Sequence, residues 1–338
     1  MKTFSLLTKL VLTTLLFLSA FIPNQVSAST ENVELDILNI EDIDVNPDRN
    51  YARGNNPSIS VLDNGLVIAI KDYQGKLSYQ LGEYKNEQLY WTYPEEYDTG
   101  QNPSVTVLDN GHILEVHDTG SGRLFYNLGR YEDGKIIWYR VGKQYDTGRR
   151  PDLITLSNGV VMEVHEGQLF GGGYYTFGRY DETYSTMNWF NVGNRYGGNI
   201  QETVIAQLHD GDIINVAEEF GRPSHIPLFY RIGSIGSYSI SWSPKTQYDN
   251  GYLPSIAVLL SGHILEVHTG NSTDAWYRLG KREGDEINWY TLGGNYSKGQ
   301  NNDLAVLYNG VVVDVHEDGN GTLWYNLGRQ EGDKMVWF

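Results

Sequence analysis

Residues 103–148 read PSVTVLDNGHILEVHDTGSGRLFYNLGRYEDGKIIWYRVGKQYDTG. Four short runs of β-forming residues, 104–108, 112–117, 124–128 and 135–139, are separated by Asp109-Asn110-Gly111, Thr119-Gly120-Ser121-Gly122 and Asp133-Gly134. Asn-Gly and Asp-Gly between alternating apolar residues mark tight hairpins, because the turn needs residues that accept positive φ. The stretch therefore predicts one four-stranded antiparallel sheet.

The passage recurs. PDLITLSNGVVMEVHEG begins at Pro151, PSIAVLLSGHILEVHTG at Pro254 and NDLAVLYNGVVVDVHEDG at Asn302, with weaker copies at Pro57 and Thr203. All six copies carry a Trp, at 91, 138, 189, 242, 289 and 337, giving a period of 47 to 53 residues. A Gly precedes each Trp, at 82, 129, 178, 233, 280 and 328, and a Tyr stands three residues before that Gly. Four strands per repeat of this length predict an all-β, six-bladed β-propeller over residues 51–338. A solenoid fits less well, since the loops are long and polar end caps are missing. The Trp and the Tyr are expected to pack. The polar residue after each Tyr varies (Gln80, Asn127, Thr176, Arg231, Arg278, Asn326), which predicts solvent exposure or blade-specific recognition.

Between copies runs a Tyr-Asp-x-Gly-x-x-Pro-like linker with Tyr at 51, 97, 145, 196, 248 and 296. Three residues after each Tyr stand Gly54, Gly100, Gly148, Asn199, Gly251 and Gly299. Five Gly and one Asn predict a backbone position with positive φ at the crossover from blade to blade.

The N-terminus predicts a secretion signal over residues 1–28. Lys2 and Lys9 precede or open an apolar run to Ile22, and Val26-Ser27-Ala28 offers a small-x-small cleavage site. Residues 29–50 form an acidic leader, and Val33 to Val45 is expected to pair on a blade edge and help close the ring. With no cysteine, such a protein relies on core burial, and thiol chemistry and Cys-zinc sites are excluded. A net charge of −17 disfavours nucleic acid and anionic lipid as partners. No second apolar stretch suggests a membrane span. Neutral sugars, cations or basic proteins fit better; oligomeric state is not legible.

The least ordinary feature is a carboxylate and a His two residues apart: Glu115/His117, Glu163/His165, Glu266/His268 and Asp314/His316, replaced by Ala69/Lys71 and Asn215/Ala217 in the first and fourth copies. Residues two apart share a strand face, so each carboxylate should sit beside its His. The pair lies where the second strand leads into the loop before the third, on the rim that also carries the crossover. It should therefore converge with linker carboxylates such as Asp146 and Asp249 and with the aromatic opening the third strand (Phe125, Tyr174, Phe229, Trp276, Trp324). An aromatic face beside polar groups suits a sugar. A buried, mutually satisfied pair locking the blades is the competing reading. The longest second-to-third loops are in copies three and four, where Glu218, Glu219, Arg222 and His225 are candidates for a unique site.

These repeats resemble a family of secreted bacterial propeller repeats. The resemblance is carried by residues 254–260, Glu266-Val267-His268, Trp276-Tyr277-Arg278-Leu279-Gly280, Ile287-Asn288-Trp289 and Tyr248-Asp249-Asn250-Gly251. It covers about residues 51–338 and implies the propeller architecture. At fold level the repeats are also similar to lectin propellers, which implies sugar recognition between blades. The hairpin Tyr131-Glu132-Asp133-Gly134-Lys135-Ile136-Ile137-Trp138 shares only the Gly and Trp of the sialidase Asp box.

The expectation is a secreted, lectin-like module binding carbohydrate or a glycoconjugate at repeated rim sites. The alternatives are a glycan-processing hydrolase or lyase with one site near blades 3 and 4, and a protein-binding adhesin or toxin-associated component. No nucleophile elbow, phosphate loop or zinc motif occurs, and no catalytic residue can be assigned. No cofactor is required. Asp-rich turns such as Glu317-Asp318-Gly319-Asn320-Gly321 are candidates for Ca²⁺, though shorter than a dedicated loop.

Overall fold

The structure, a computed structural model, describes residues 49–168, 171–219, 226–270, 273–290 and 294–338. All lie in one compact unit spanning Asp44–Phe338. The signal segment, the stretch from Val33 to Val45, Arg222 and His225 lie outside the described residues. Among the described residues there is no helix, and the strands form six antiparallel sheets in sequence order, the six blades of a β-propeller.

Blade 2 shows the plan: inner strand Gln101–Val107, then His112–Asp118, Leu124–Glu132 and outer strand Lys135–Asp146. Its Asp133-Gly134 turn has φ of 49° and 86°, as the hairpin reading requires. Crossovers and second-to-third loops share one rim. First-to-second turns and third-to-fourth hairpins share the other.

Blade 6 is completed from both ends of the chain. Its third strand, Thr322–Glu331, pairs with Lys334–Trp337 along one half and with the N-terminal strand Arg49–Arg53 along the other. Residues 49–53 thus close the ring, occupying the place that Glu95–Thr99 takes in blade 1.

Each blade is covered on both faces, one by each neighbour. Six apolar clusters fill the six junctions, one at each. At each junction the linker Tyr of one blade stacks on the Trp of the next, with ring centroids 4.2 to 5.1 Å apart. Such a stack contributes ~0.5–1.5 kcal/mol beyond the area it buries. The Trp lies across the Gly directly opposite it on the third strand, where an added methyl would come within 2.8–2.9 Å of the ring.

The linker glycine has a different cause from the one expected. Gly100, Gly148, Gly251 and Gly299 have no positive φ; only Gly54, at 158°, and Asn199, at 59°, do. A Cβ on any of the four glycines would collide with the imidazole of the next blade, His117, His165, His268 or His316. In blade 4 the His is Ala217, and there a side chain fits. The left-handed residue instead lies two positions later: Asn56 (46°), Asn102 (50°), Arg150 (48°), Leu253 (51°) and Asn301 (52°). Each sits in a bulge where the inner strand joins the second.

Candidate functional site

The carboxylate and His pairs do converge with the crossover, as strand alternation predicts. The imidazole Nδ1 lies 3.1 Å from Glu115, 3.0 Å from Glu163, 3.1 Å from Glu266 and 2.9 Å from Asp314. On its other side Nε2 faces the preceding blade: Asp98 at 3.9 Å from His117, Asp146 at 4.0 Å from His165, Asp249 at 3.7 Å from His268, and Ser297 at 3.4 Å from His316. The aromatic opening the third strand stacks on the ring, Phe125 on His117 at 6.0 Å and Tyr174 on His165 at 5.6 Å.

All eight side chains are buried, at 0–3% exposure. That leaves no face of Glu115, His117, Glu163, His165, Glu266, His268, Asp314 or His316 for a ligand and matches the locking reading. Burial by itself would pull the imidazoles of His117, His165 and His268 down; the adjoining glutamates outweigh it and the net direction is up. Burial raises Glu163 and, with Glu115 close by, the Tyr97 hydroxyl.

Asp146, Asp249, Trp276 and Trp324 are half-buried. Asp146 accepts from Thr176 at 3.1 Å, and Asp249 is ion-paired with Arg278. Trp276 and Trp324 stand directly opposite His268 and His316. The varying polar residues are not solvent-exposed as expected: Gln80, Asn127, Thr176 and Asn326 are buried. Asn127, for example, donates to Glu115 at 2.7 Å. They face the junction because the same strand face carries the Glu–His pair.

The open concave surface lies elsewhere, on the ring axis. A cavity of about 350 Å³ at the crossover rim is lined by the first residues of all six inner strands, among them Asn56, Asn102, Arg150, Glu202, Gln300 and Asn301. Behind it runs an acidic collar formed by the residue after the His position: Asp72, Asp118, Glu166, Glu218 and Glu317. Asp72 accepts from Asn56 Nδ2 (2.8 Å) and Asn102 N (2.9 Å); Asp118 accepts from Asn102 Nδ2 (2.8 Å) and Arg150 N (3.1 Å). Glu317 accepts from Gln300, Asn301 and the Asn56 backbone, and Glu218 from Leu253 N. Each of Asn56, Asn102 and Asn301 gives an amide N–H to the collar, which fixes these amides at the mouth. Arg150 is ion-paired with Glu202, whose carboxyl is pushed up to about 8 by burial despite that partner.

Two carboxylates floor the cavity from opposite blades. Asp152 accepts from Ile205 N (2.8 Å) and Ser104 Oγ (3.2 Å); Asp303 accepts from Ile59 N (2.8 Å) and Ser255 Oγ (3.2 Å). Burial, then the charge of Asp303, raises Asp152 to about 7; burial raises Asp303 to about 6. The sequence reading missed this site. Its signal was the acidic residue that follows five of the six His positions, Thr269 being the exception, and the Asn-Pro pairs at 56–57 and 102–103.

Among the unique-site candidates, Glu218 belongs to the collar and Glu219 pairs with Lys245 at 2.6 Å. The acidic turn at 317–321 does not fit Ca²⁺. Glu317 is buried in the collar, whereas Asp318 caps its own turn, accepting from Asn320 N (2.7 Å) and Thr322 N (3.1 Å).

No family model matches the chain, and none of the curated proteins does. Solved structures share its fold. An α-L-arabinofuranosidase from Fusarium graminearum is 12% identical, over 82% of this chain and 93% of that one, with a TM-score of 0.61. The intramolecular trans-sialidase from Ruminococcus gnavus is 11% identical, over 84% and 95%, at 0.52. A fungal alcohol oxidase is 11% identical, over 83% and 75%, at 0.56. At these identities the likeness carries the propeller architecture alone.

Proposed function

We propose that the protein is a secreted carbohydrate-binding propeller that holds its ligand at the axial mouth. The observation that carries this reading is the cavity of about 350 Å³, large enough for a small ligand and rimmed by polar side chains from every blade. Amide oxygens of Asn56, Asn102 and Asn301 accept from sugar hydroxyls, Arg150 donates to ring or hydroxyl oxygens, and prolines 57, 103, 151 and 254 offer apolar contact to C–H groups. The collar carboxylates act as positioning residues that orient the asparagines. The likeness to glycosidase and sialidase propellers supports a glycan as the partner. The buried Glu–His pairs then serve as locks between blades, and the repeated rim positions hold the ring rigid around one site.

The test is a glycan array on residues 29–338, with an Asn102→Gly/Asn301→Gly variant alongside. Glycine accepts the left-handed backbone at both positions and removes only the amides. Selective binding that weakens at least tenfold in the folded variant is expected. A wild-type protein that binds no glycan sinks the proposal.

One observation favours a hydrolase at the same place. Asp152 and Asp303 are raised into the range where a carboxyl can donate a proton near neutral pH. Turnover of 4-nitrophenyl glycosides that disappears in Asp152→Asn would replace the binding reading with a catalytic one.

A further inference from the structure

A second concave surface lies on the opposite rim, between blades 3 and 4. It is a cleft of about 640 Å³ lined by Tyr180, Asp181, Asn188, Phe190, Asn191 and Tyr238, with Arg179 and Glu182 at its border. Two local departures from the blade plan build it. The blade 3 hairpin turns through Glu182-Thr183-Tyr184-Ser185, where blade 2 uses Asp133-Gly134 alone. Arg140 of blade 2 pins that wider turn, donating to Ser185 O (2.6 Å) and Tyr184 O (2.9 Å). The blade 4 hairpin thrusts Tyr238 outward, 55% exposed, on a backbone with φ of 145°.

A tyrosine at that φ is strained, and such strain persists only where surrounding contacts hold it. Here Asn191 Nδ2 reaches across the blade boundary to Tyr238 O at 2.6 Å. The Tyr238 ring meets the Phe190 ring edge-on at 4.8 Å and 79°, and Phe190 rests on Phe177. At the other wall Tyr180 is fixed by the Tyr139 hydroxyl at 3.3 Å and by the His112 ring at 5.0 Å. Asp181 holds Asn188 by its Nδ2 at 3.0 Å, which leaves the amide oxygen of Asn188 as an acceptor at the cleft edge.

We infer that this cleft is a second, single-copy binding site for a neutral saccharide, separate from the axial mouth. A pyranose ring lays its C–H face on the exposed Tyr238 ring with Phe190 standing edge-on beside it, and its hydroxyls meet Asn188, Asn191 and Asp181. Asp181 and Glu182 are balanced by Arg179 at the border and by Arg140 on the adjoining turn, which suits an uncharged sugar.

The experiment titrates the protein with cellohexaose, N-acetylated chitohexaose and xylohexaose by calorimetry and saturation-transfer NMR. It compares wild type, Tyr238→Gly, Tyr238→Phe and the axial Asn102→Gly/Asn301→Gly variant. Tyr238→Gly keeps the backbone angle free of cost and removes an exposed ring, so the fold persists. The expected result is binding of at least one of the three by wild type, about tenfold weaker in Tyr238→Gly, retained in Tyr238→Phe and retained in the axial variant. Equal affinity in wild type and Tyr238→Gly, loss in the axial variant alone, or no binding of any of the three by wild type overturns the inference.

Discussion

Blade 2 meets blade 1, and blade 4 meets blade 3, through the same aromatic stack, Tyr97 on Trp138 at 4.4 Å and Tyr196 on Trp242 at 5.1 Å. Above the stack the junctions diverge. Blade 2 fills the space with Glu115, His117 and Asn127, bound to one another and flanked by Asp98. Blade 4 has Asn215 and Ala217 there. Asn215 donates to Thr203 Oγ1 (2.7 Å) and Val204 O (3.0 Å), and Arg231 reaches Tyr196 O at 2.7 Å. The linker follows suit: Gly100 where an imidazole presses on the backbone, Asn199 where Ala217 leaves room. Blade 1 confirms the rule with a third solution. Lys71 replaces the His and donates to Gln80, its stem still crowds the linker, and Gly54 is still glycine. The stack is therefore the general joint, and the ionic pair is an addition that dictates the residue beside it.

The largest expected effect is on the pair. Glu163→Ala leaves His165 buried with its main partner gone and should cost ~3–5 kcal/mol in urea denaturation. Asn215→Ala, at the equivalent place in blade 4, removes neutral hydrogen bonds and should cost ~1–2 kcal/mol. Equal losses would break the comparison. Next comes the linker: Gly100→Ala should cost ~2–3 kcal/mol, because the new methyl meets both the His117 ring and the Asp118 carbonyl. His117→Ala in that background should recover part of the loss, and no recovery would separate the glycine from the imidazole.

The third prediction concerns pH. The folded His117, His165 and His268 sit above their usual value, so their stabilisation is complete below about pH 6.5 and fades as pH climbs through the folded value. The raised carboxyls act in the same direction. Asp303 at about 6, Asp152 at about 7 and Glu202 at about 8 contribute stability below about pH 4 that is lost as pH rises through those values. The melting temperature at pH 5 should exceed that at pH 8.5 by about 5 °C. Glu202→Gln should flatten the alkaline part of the slope. A stability maximum above pH 8 would contradict the assigned directions. The smallest effect is Asn199→Gly, expected within about 0.5 kcal/mol of wild type because glycine accepts the φ of 59° and no ring lies over it. A loss as large as that of Gly100→Ala would mean that Asn199 is held for another reason.

Strand alternation was enough to place Glu115 beside His117 and both beside the crossover. It could not say whether that face meets water. In an isolated sheet one face is often solvated, but a propeller blade is covered on both faces by its neighbours, so polar positions such as Gln80 and Asn127 are buried with the apolar ones. The axial mouth was harder to see for a different reason. Asn56, Asn102 and Asn301 are unremarkable singly, and their relation exists only once inner strands about fifty residues apart converge on one axis.

The amino-acid sequence by itself determined the repeat, the four strands of each blade and the number of blades. These rest on local turn chemistry and a regular spacing of Trp, Gly and Tyr, both written along one dimension. Tertiary structure alone decided that Arg49–Arg53 and Lys334–Trp337 share a blade, that the Glu–His pairs are sealed in the junctions, and that the axial mouth and the blade 3–4 cleft open on opposite rims. Those outcomes depend on which surfaces the closed ring brings together, and no single repeat encodes the faces of its neighbours.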